Sequence, residues 1–164
     1  MTILLKNKHT VKFDDFEFKC CIGKNGLTKF KKEGDGKTPK GTFKIEHLYF
    51  RKDRIKKPNT KLNCVEIKKN MGWCDDINNK QNYNKLIKIN KNFSHEKLFR
   101  KDKKYDLLIP IKYNFNKIIP GNGSCIFIHL TSDYKPTAGC IALKEKDLLI
   151  LLKLINKNTK IIIS

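Results

Sequence analysis

Phe16, Phe18, Cys20 and Ile22 alternate with Glu17, Lys19 and Cys21. This period of two predicts a half-buried β-strand over 16–22, stopped at Gly23. The segment Gly34-Asp-Gly-Lys-Thr-Pro-Lys-Gly41 carries turn-forming residues, and a strand is expected to resume over 42–47. Residues 51–99 lose this order. Lysine and asparagine dominate there, with Trp73, Tyr83 and Phe93 scattered among them, which predicts long excursions over the body of the domain. Two dense apolar runs, 105–111 and 124–130, have the length of interior strands, and Pro120-Gly-Asn-Gly123 supplies a turn ahead of the second. Beyond Leu143 the period changes. Leu148, Leu151, Leu152 and Ile155 fall at i, i+3, i+4 and i+7, one face of the only long helix expected. Residues 161–163 read as a last strand, and the chain as mainly β.

Composition sharpens this picture in a few places. The 164 residues show no break that would divide them, so a single domain over 1–164 is expected. With 39% hydrophobic and 32% charged residues in bounded runs, a disordered polymer is excluded. The longest apolar run, 147–153, is broken by lysine far short of the roughly 18 residues that span a bilayer, so no membrane span is expected. Asn7, Lys8, His9 and Thr10 follow the first apolar residues at once, and no secretory leader is legible. By sequence alone a cytoplasmic location is expected.

The charge balance, 36 basic against 16 acidic residues and formally +20, suggests a nucleic-acid partner. Yet only Arg51, Arg54 and Arg100 are arginine, the residue best suited to fork onto phosphates and base edges. The surplus therefore reads as a solvated lysine coat, and no specific nucleic-acid partner is expected. A basic, non-enzymatic binding module for nucleic acid or wall polymer is the rival to an enzyme. Six cysteines occur without C-x-x-C or paired-histidine spacing, so no metal or other cofactor is expected and the thiols should be free. The 34–41 loop has glycines and Lys37 but neither the residue order nor the following helix of a phosphate loop.

The chemistry concentrates between His129 and Leu143. A histidine ends one apolar strand and Cys140 opens the next, with ten residues between them. If the two strands form a hairpin centred near Tyr134 and Lys135, the pair lies opposite, with Cβ atoms about 4.5 to 5.5 Å apart. An imidazole at that distance would draw the thiol pKa well below about 8.5 and leave a thiolate able to attack a carbonyl. Gly139, lacking Cβ, would admit substrate and free backbone N–H groups for an oxyanion.

These residues carry a resemblance. Thr137-Ala-Gly-Cys-Ile-Ala-Leu143 preceded by His129, together with Gly34-Asp-Gly-Lys-Thr-Pro-Lys-Gly-Thr-Phe43, resembles the L,D-transpeptidase catalytic domain of the YkuD type. The resemblance spans about 16–163 and implies a β-sandwich of two mixed sheets. It implies an acyl transfer in which Cys140 attacks a peptidoglycan stem peptide, expels a terminal D-amino acid and passes the acyl group to a neighbouring amine. His129 would be the base, Thr137 would help orient it, and Gly139 with the Cys140 amide would form the oxyanion site. A monomer acting on peptidoglycan stem peptides in the cell envelope or periplasm follows, with a hydrolase of the same fold as the enzymatic alternative. The chain departs from the family pattern at Ala138 and Ala142, where histidine and arginine are frequent, and in the short histidine-to-cysteine interval. In the polar middle, His95, Glu96, Trp73 and Asp75 are the candidates for substrate contacts, since a stem with a diamino acid presents both an amine and a carboxylate. Tyr105 is expected to be a strand residue only.

Overall fold

The alternation at 16–22 becomes a strand at the middle of a ten-stranded sheet. The computed structural model describes residues 1–164, with 38% in strands and 6% in helix. In chain order the strands are β1 (Thr2–Asn7), β2 (Thr10–Phe13), β3 (Phe16–Cys21), β4 (Leu27–Thr28), β5 (Thr38–Pro39), β6 (Gly41–Lys44), β7 (His47–Phe50), β8 (Asn63–Glu66), β9 (Met71–Cys74), β10 (Leu86–Lys88), β11 (His95–Lys97), β12 (Leu107–Pro110), β13 (Phe127–Leu130), β14 (Ile141–Leu143) and β15 (Lys160–Ile163). The helix α1 (Glu145–Leu154) precedes β15.

Hydrogen bonding runs in the order β6-β15-β1-β2-β3-β14-β13-β12-β7-β8. Each half is mixed: β1 and β15 are parallel in one, β13 with β14 and β7 with β8 in the other, and the β3–β14 pair joins them. The sheet curls until the halves share a core with α1, which realises the expected sandwich. Ile3, Leu5 and Val11 meet Leu48, Ile109 and Ile128 there, with Leu148, Leu151 and Leu152 of the helix. Each of those three leucines is fully buried, a contribution of about 2 kcal/mol apiece. Glu145 and Asp147 in the first turn and Lys153 in the last complement the helix dipole.

The run expected as one strand over 42–47 is divided. β6 pairs with β15, whereas β7 pairs with β12 and β8, and the buried Ile45 carries the chain across. A straight strand cannot follow both halves of a curling sheet, so it breaks where its partners change. β1 and β2 are strands beyond those the pattern predicts. The polar middle is also not loop throughout: β9, β10 and β11 form a separate antiparallel sheet in the order β10-β9-β11. Strands of three or four residues with exposed Leu86, Lys88 and Lys97 offer too few apolar positions for a period to be read.

That small sheet explains why β12 and β13 do not alternate. Leu107, Ile109, Ile128 and Leu130 face the main core, while Leu108 and Phe127 face a second cluster with Tyr49, Ile67, Trp73, Leu98, Tyr105 and Cys140. Arg51, almost fully buried, helps hold the layer in place. It is bidentate to Asp53, donates to the Arg100 carbonyl and stacks 3.5 Å over the Phe99 ring. All three arginines are engaged in internal ion pairs.

Candidate active site

The strands that carry His129 and lead out of Cys140 are parallel neighbours, which corrects the expected hairpin. Ile128 pairs with Ile141 and His129 with Ala142. The intervening segment leaves the sheet and runs beside the end of β3, where the Thr137 N–H donates to the Ile22 carbonyl and the Lys24 N–H to the Thr137 carbonyl. Held there, the chain re-enters alongside β13 in the same direction. Cys140 stands one residue before β14, on the face shared by Phe127 and His129. A strand rise of about 3.3 Å and a strand spacing of about 4.8 Å put the Cα atoms of Cys140 and His129 roughly 8 Å apart. No thiol–imidazole hydrogen bond forms. The Cys140 Sγ donates to the Cys125 carbonyl at 3.1 Å and accepts the Phe127 N–H at 3.4 Å.

Burial then decides the protonation of both groups. The Cys140 thiol is pushed up to about 12, against the Phe127 N–H that favours the thiolate, which reverses the expectation of a depressed value. The His129 imidazole is pulled down to about 4 by burial, the Leu130 carbonyl opposing. Its Nδ1 lies 2.9 Å from that carbonyl, which can only accept, so Nδ1 carries the proton and Nε2 presents the lone pair. The resting pair is therefore a neutral thiol and a neutral imidazole. A pH effect on stability follows. Between pH 6.5 and 4 the unfolded chain takes up a proton that folded His129 refuses, so stability is present above 6.5 and lost as pH falls toward 4. The loss is about 3 kcal/mol. Urea titrations at pH 7 and pH 4 should show it, and His129→Gln should flatten that part of the profile.

Thr137 and Gly139 shape the turn that presents the thiol. The Thr137 hydroxyl donates to the Cys140 carbonyl at 2.6 Å and accepts the Gly139 N–H at 3.1 Å. It thus orients the cysteine turn, and the expected bond to the histidine is absent. Because the Gly139 N–H is taken up, the Cys140 N–H is the free backbone donor at the nucleophile. Gly139 has φ of +149°, and a Cβ there would lie 2.8 Å from the Lys37 carbonyl, so no other residue fits. The 34–41 segment touches the site at this point, with Thr38 Oγ1 donating to the Gly139 carbonyl at 2.8 Å.

The four candidate substrate contacts separate by face. Glu96 pairs with Trp73, and both lie on the side of the small sheet that covers Cys140. Asp75, two residues after Trp73, returns to that side, and one of its oxygens, Oδ1, is buried with no partner. The Glu96 carboxylate acts on Cys140 and Cys125, and Asp75 on Cys125. His95 lies on the opposite face, paired with Cys74 and packed at Gly72, with Nδ1 on the Phe93 carbonyl at 3.0 Å. Alternation within β11 thus turns it from the thiol when Glu96 faces it.

Four further residues reach the site from a distance. Tyr105 packs its ring edge-on to His129 at 5.3 Å and to Phe127 at 5.8 Å, and Arg100 sits 5.0 Å above it. Cys125, at φ +54°, aims its carbonyl at Sγ. Lys31 is buried, bound to Asp35 and the Lys32 carbonyl, and lays its side chain against Gly123 and near Gly139. Its positive charge favours the Cys140 thiolate. None belongs to a local motif, so no spacing along the chain could have marked them. Ala142 occupies a buried position between Cys21 and His129 with no room for an arginine, and the cations acting on His129 are Lys104 and Arg100.

A mainly β fold that brings Cys140 and His129 to one face of adjacent strands defines a thiol–imidazole site on a curled mixed sheet. Residues 1–163 match the family described as the L,D-transpeptidase catalytic domain (YkuD), and the chain belongs to that family. The family acts on peptidoglycan and is typically associated with the cell envelope. Among solved structures the chain is similar to Bd1075 of Bdellovibrio bacteriovorus, at 16% identity and a TM-score of 0.49, covering 99% of this chain and 47% of that one. It thus spans about half the length of that protein. No curated protein sequence matches. No helix of the chain is long and apolar enough to cross a membrane.

Proposed function

We propose that the protein is a cysteine-dependent L,D-transpeptidase that forms peptidoglycan crosslinks through an acyl-enzyme on Cys140. The observation that supports this most is the placing of Cys140 and His129 on one face of adjacent parallel strands, with the imidazole tautomer set by the Leu130 carbonyl. The Sγ proton passes to His129 Nε2 as the thiolate attacks the carbonyl after the L-centre of a stem peptide. The oxyanion takes the free Cys140 N–H. Collapse breaks the C–N bond, and the leaving amine of the terminal residue takes the proton from His129. An acceptor amine then attacks the thioester, gives its proton to Nε2 and restores the thiol as the C–S bond breaks. Lys104, exposed and outside any ion pair, supplies a cation for the donor carboxylate in place of the arginine absent at position 142.

Because the resting thiol is held at about 12 and bonded to Cys125, proton transfer waits on substrate displacing Sγ from that carbonyl. The test is mass spectrometry of the purified protein with a defined tetrapeptide stem and an acceptor stem. The expected result is a crosslinked product with one amino acid released per link. Release with only hydrolysed stem would replace transfer by hydrolysis on the same acyl-enzyme. No release, with no adduct on Cys140 from a carbapenem under forcing conditions, would overturn the enzyme and favour a basic binding module.

A further inference from the structure

A cleft of about 240 Å³ opens on the sheet face that carries Cys140, several strands away from it. Tyr49 and Pro110 form its floor, Trp73 one wall, and the exposed Phe115 and Leu86 its mouth. The Trp73 ring stands perpendicular to Tyr49 and is fixed by the Asn84 side chain, whose Oδ1 accepts the indole N–H at 2.9 Å. Asn84 is itself anchored, donating to the Tyr113 and Asn114 carbonyls. Opposite these rings Glu46 and Lys112 pair at 2.7 Å, with Lys112 also 4.7 Å from the Phe115 ring centre. The cleft thus has a rigid aromatic side and a charged side, where Lys85, donating to the Gln81 carbonyl, is a further cation beside the Glu46–Lys112 pair.

From this geometry we infer that the cleft is a saccharide-binding subsite that holds a hexosamine ring of a glycan strand. A pyranose presents the same two characters, an apolar C–H face and a rim of hydroxyl and amide groups that can bond to Glu46 and Lys112 together. An added peptide strand finds no ladder on the floor, since β7 and β12 are each paired on both sides. Position fits as well. Pro110 pairs with Phe127, whose N–H meets the Cys140 thiol, so the cleft lies across about two to three strand spacings, roughly 10 to 14 Å, from the nucleophile. About three to four residues of extended peptide cover that span. A stem attached to the sugar would place its acyl carbon at Sγ. This last step rests on the proposed transpeptidase reading, whereas the saccharide site itself stands on the cleft alone.

Trp73 is the only tryptophan, so intrinsic fluorescence reports on the cleft directly. Titration with a β-1,4-linked N-acetylglucosamine tetramer should give a saturable change, and Phe115→Ala and Glu46→Gln should each weaken it by roughly tenfold. Phe115 is 41% exposed and the Glu46 side chain 45%, and neither belongs to the buried core, so the variants should fold. Cys140→Ala should bind the tetramer as the parent does. In the crosslinking assay, Phe115→Ala should raise KM for glycan-bearing donors and leave sugar-free stems unchanged. Absence of saturation up to about 10 mM, or binding unaffected by both cleft variants, would overturn the inference. A Trp73 response to sugar-free peptide and none to the tetramer would overturn it too. Crosslinking of sugar-free stems without tetramer binding would refute the cleft and leave the enzyme standing. Tetramer binding without any acyl transfer would do the reverse.

Discussion

Cys140→Ala should abolish acyl transfer, lowering turnover by at least about a thousandfold, because the turn shaped by Thr137 and Gly139 then presents no nucleophile for the carbonyl attack. Product formation on a defined donor, followed by mass spectrometry, reads this out, and circular dichroism should show an unchanged fold. The same thiol has a second signature. Held at about 12 by burial, it should react with iodoacetamide slowly at neutral pH and about tenfold faster for each unit of rising pH over the range in which the fold persists. His129, already neutral above about 4, adds no break in that range. The partly exposed Cys64 should label ahead of Cys140 near pH 7, reversing the order that a preformed thiolate would give. A Cys140→Ala protein that still forms crosslinks would remove the acyl-enzyme from the account.

Phe127→Ala should cost about 3 to 5 kcal/mol of stability. The ring is fully buried where two aromatic contacts converge, Trp73 at 5.3 Å and Tyr105 at 5.8 Å, and Tyr105 in turn packs on His129. Truncation leaves a cavity between the main sheet and the small sheet that covers the thiol, and neither layer can collapse into it without breaking its own hydrogen bonds. For a domain of this size the loss corresponds to a fall in Tm of about 10 °C or more. Differential scanning calorimetry measures it. Phe127→Leu, which fills most of the space, should lose less than half as much. Both variants keep the backbone N–H that holds Cys140 Sγ, so their residual activity separates packing from that bond. A fall in Tm below about 3 °C for the alanine variant would mean that the aromatic cluster is not the rigid support described above.

Much of the framework was legible in the chain because its signals are local. The alternation of Phe16, Phe18 and Cys20 placed β3, the spacing of Leu148, Leu151 and Leu152 placed α1, and the unalternating runs around Leu108 and Phe127 announced strands buried on both faces. The order of His129, Thr137, Gly139 and Cys140 pointed to the site. What the sequence could not decide is what those residues touch. A histidine and a cysteine ten residues apart are compatible with a hairpin or a parallel crossover, and the choice was made by the bonds of Thr137 to Ile22 and Lys24 just past the end of β3, more than a hundred positions away in the chain. That pairing moved the thiol from the imidazole to the Cys125 carbonyl and buried it, which set both protonation states. The face of each polar residue in β9 and β11 was equally hidden, since register alone puts Glu96 with Trp73 and turns His95 away. Periodicity belongs to neighbouring residues and survives in sequence; burial and register belong to the assembled layers and exist only once distant strands have met.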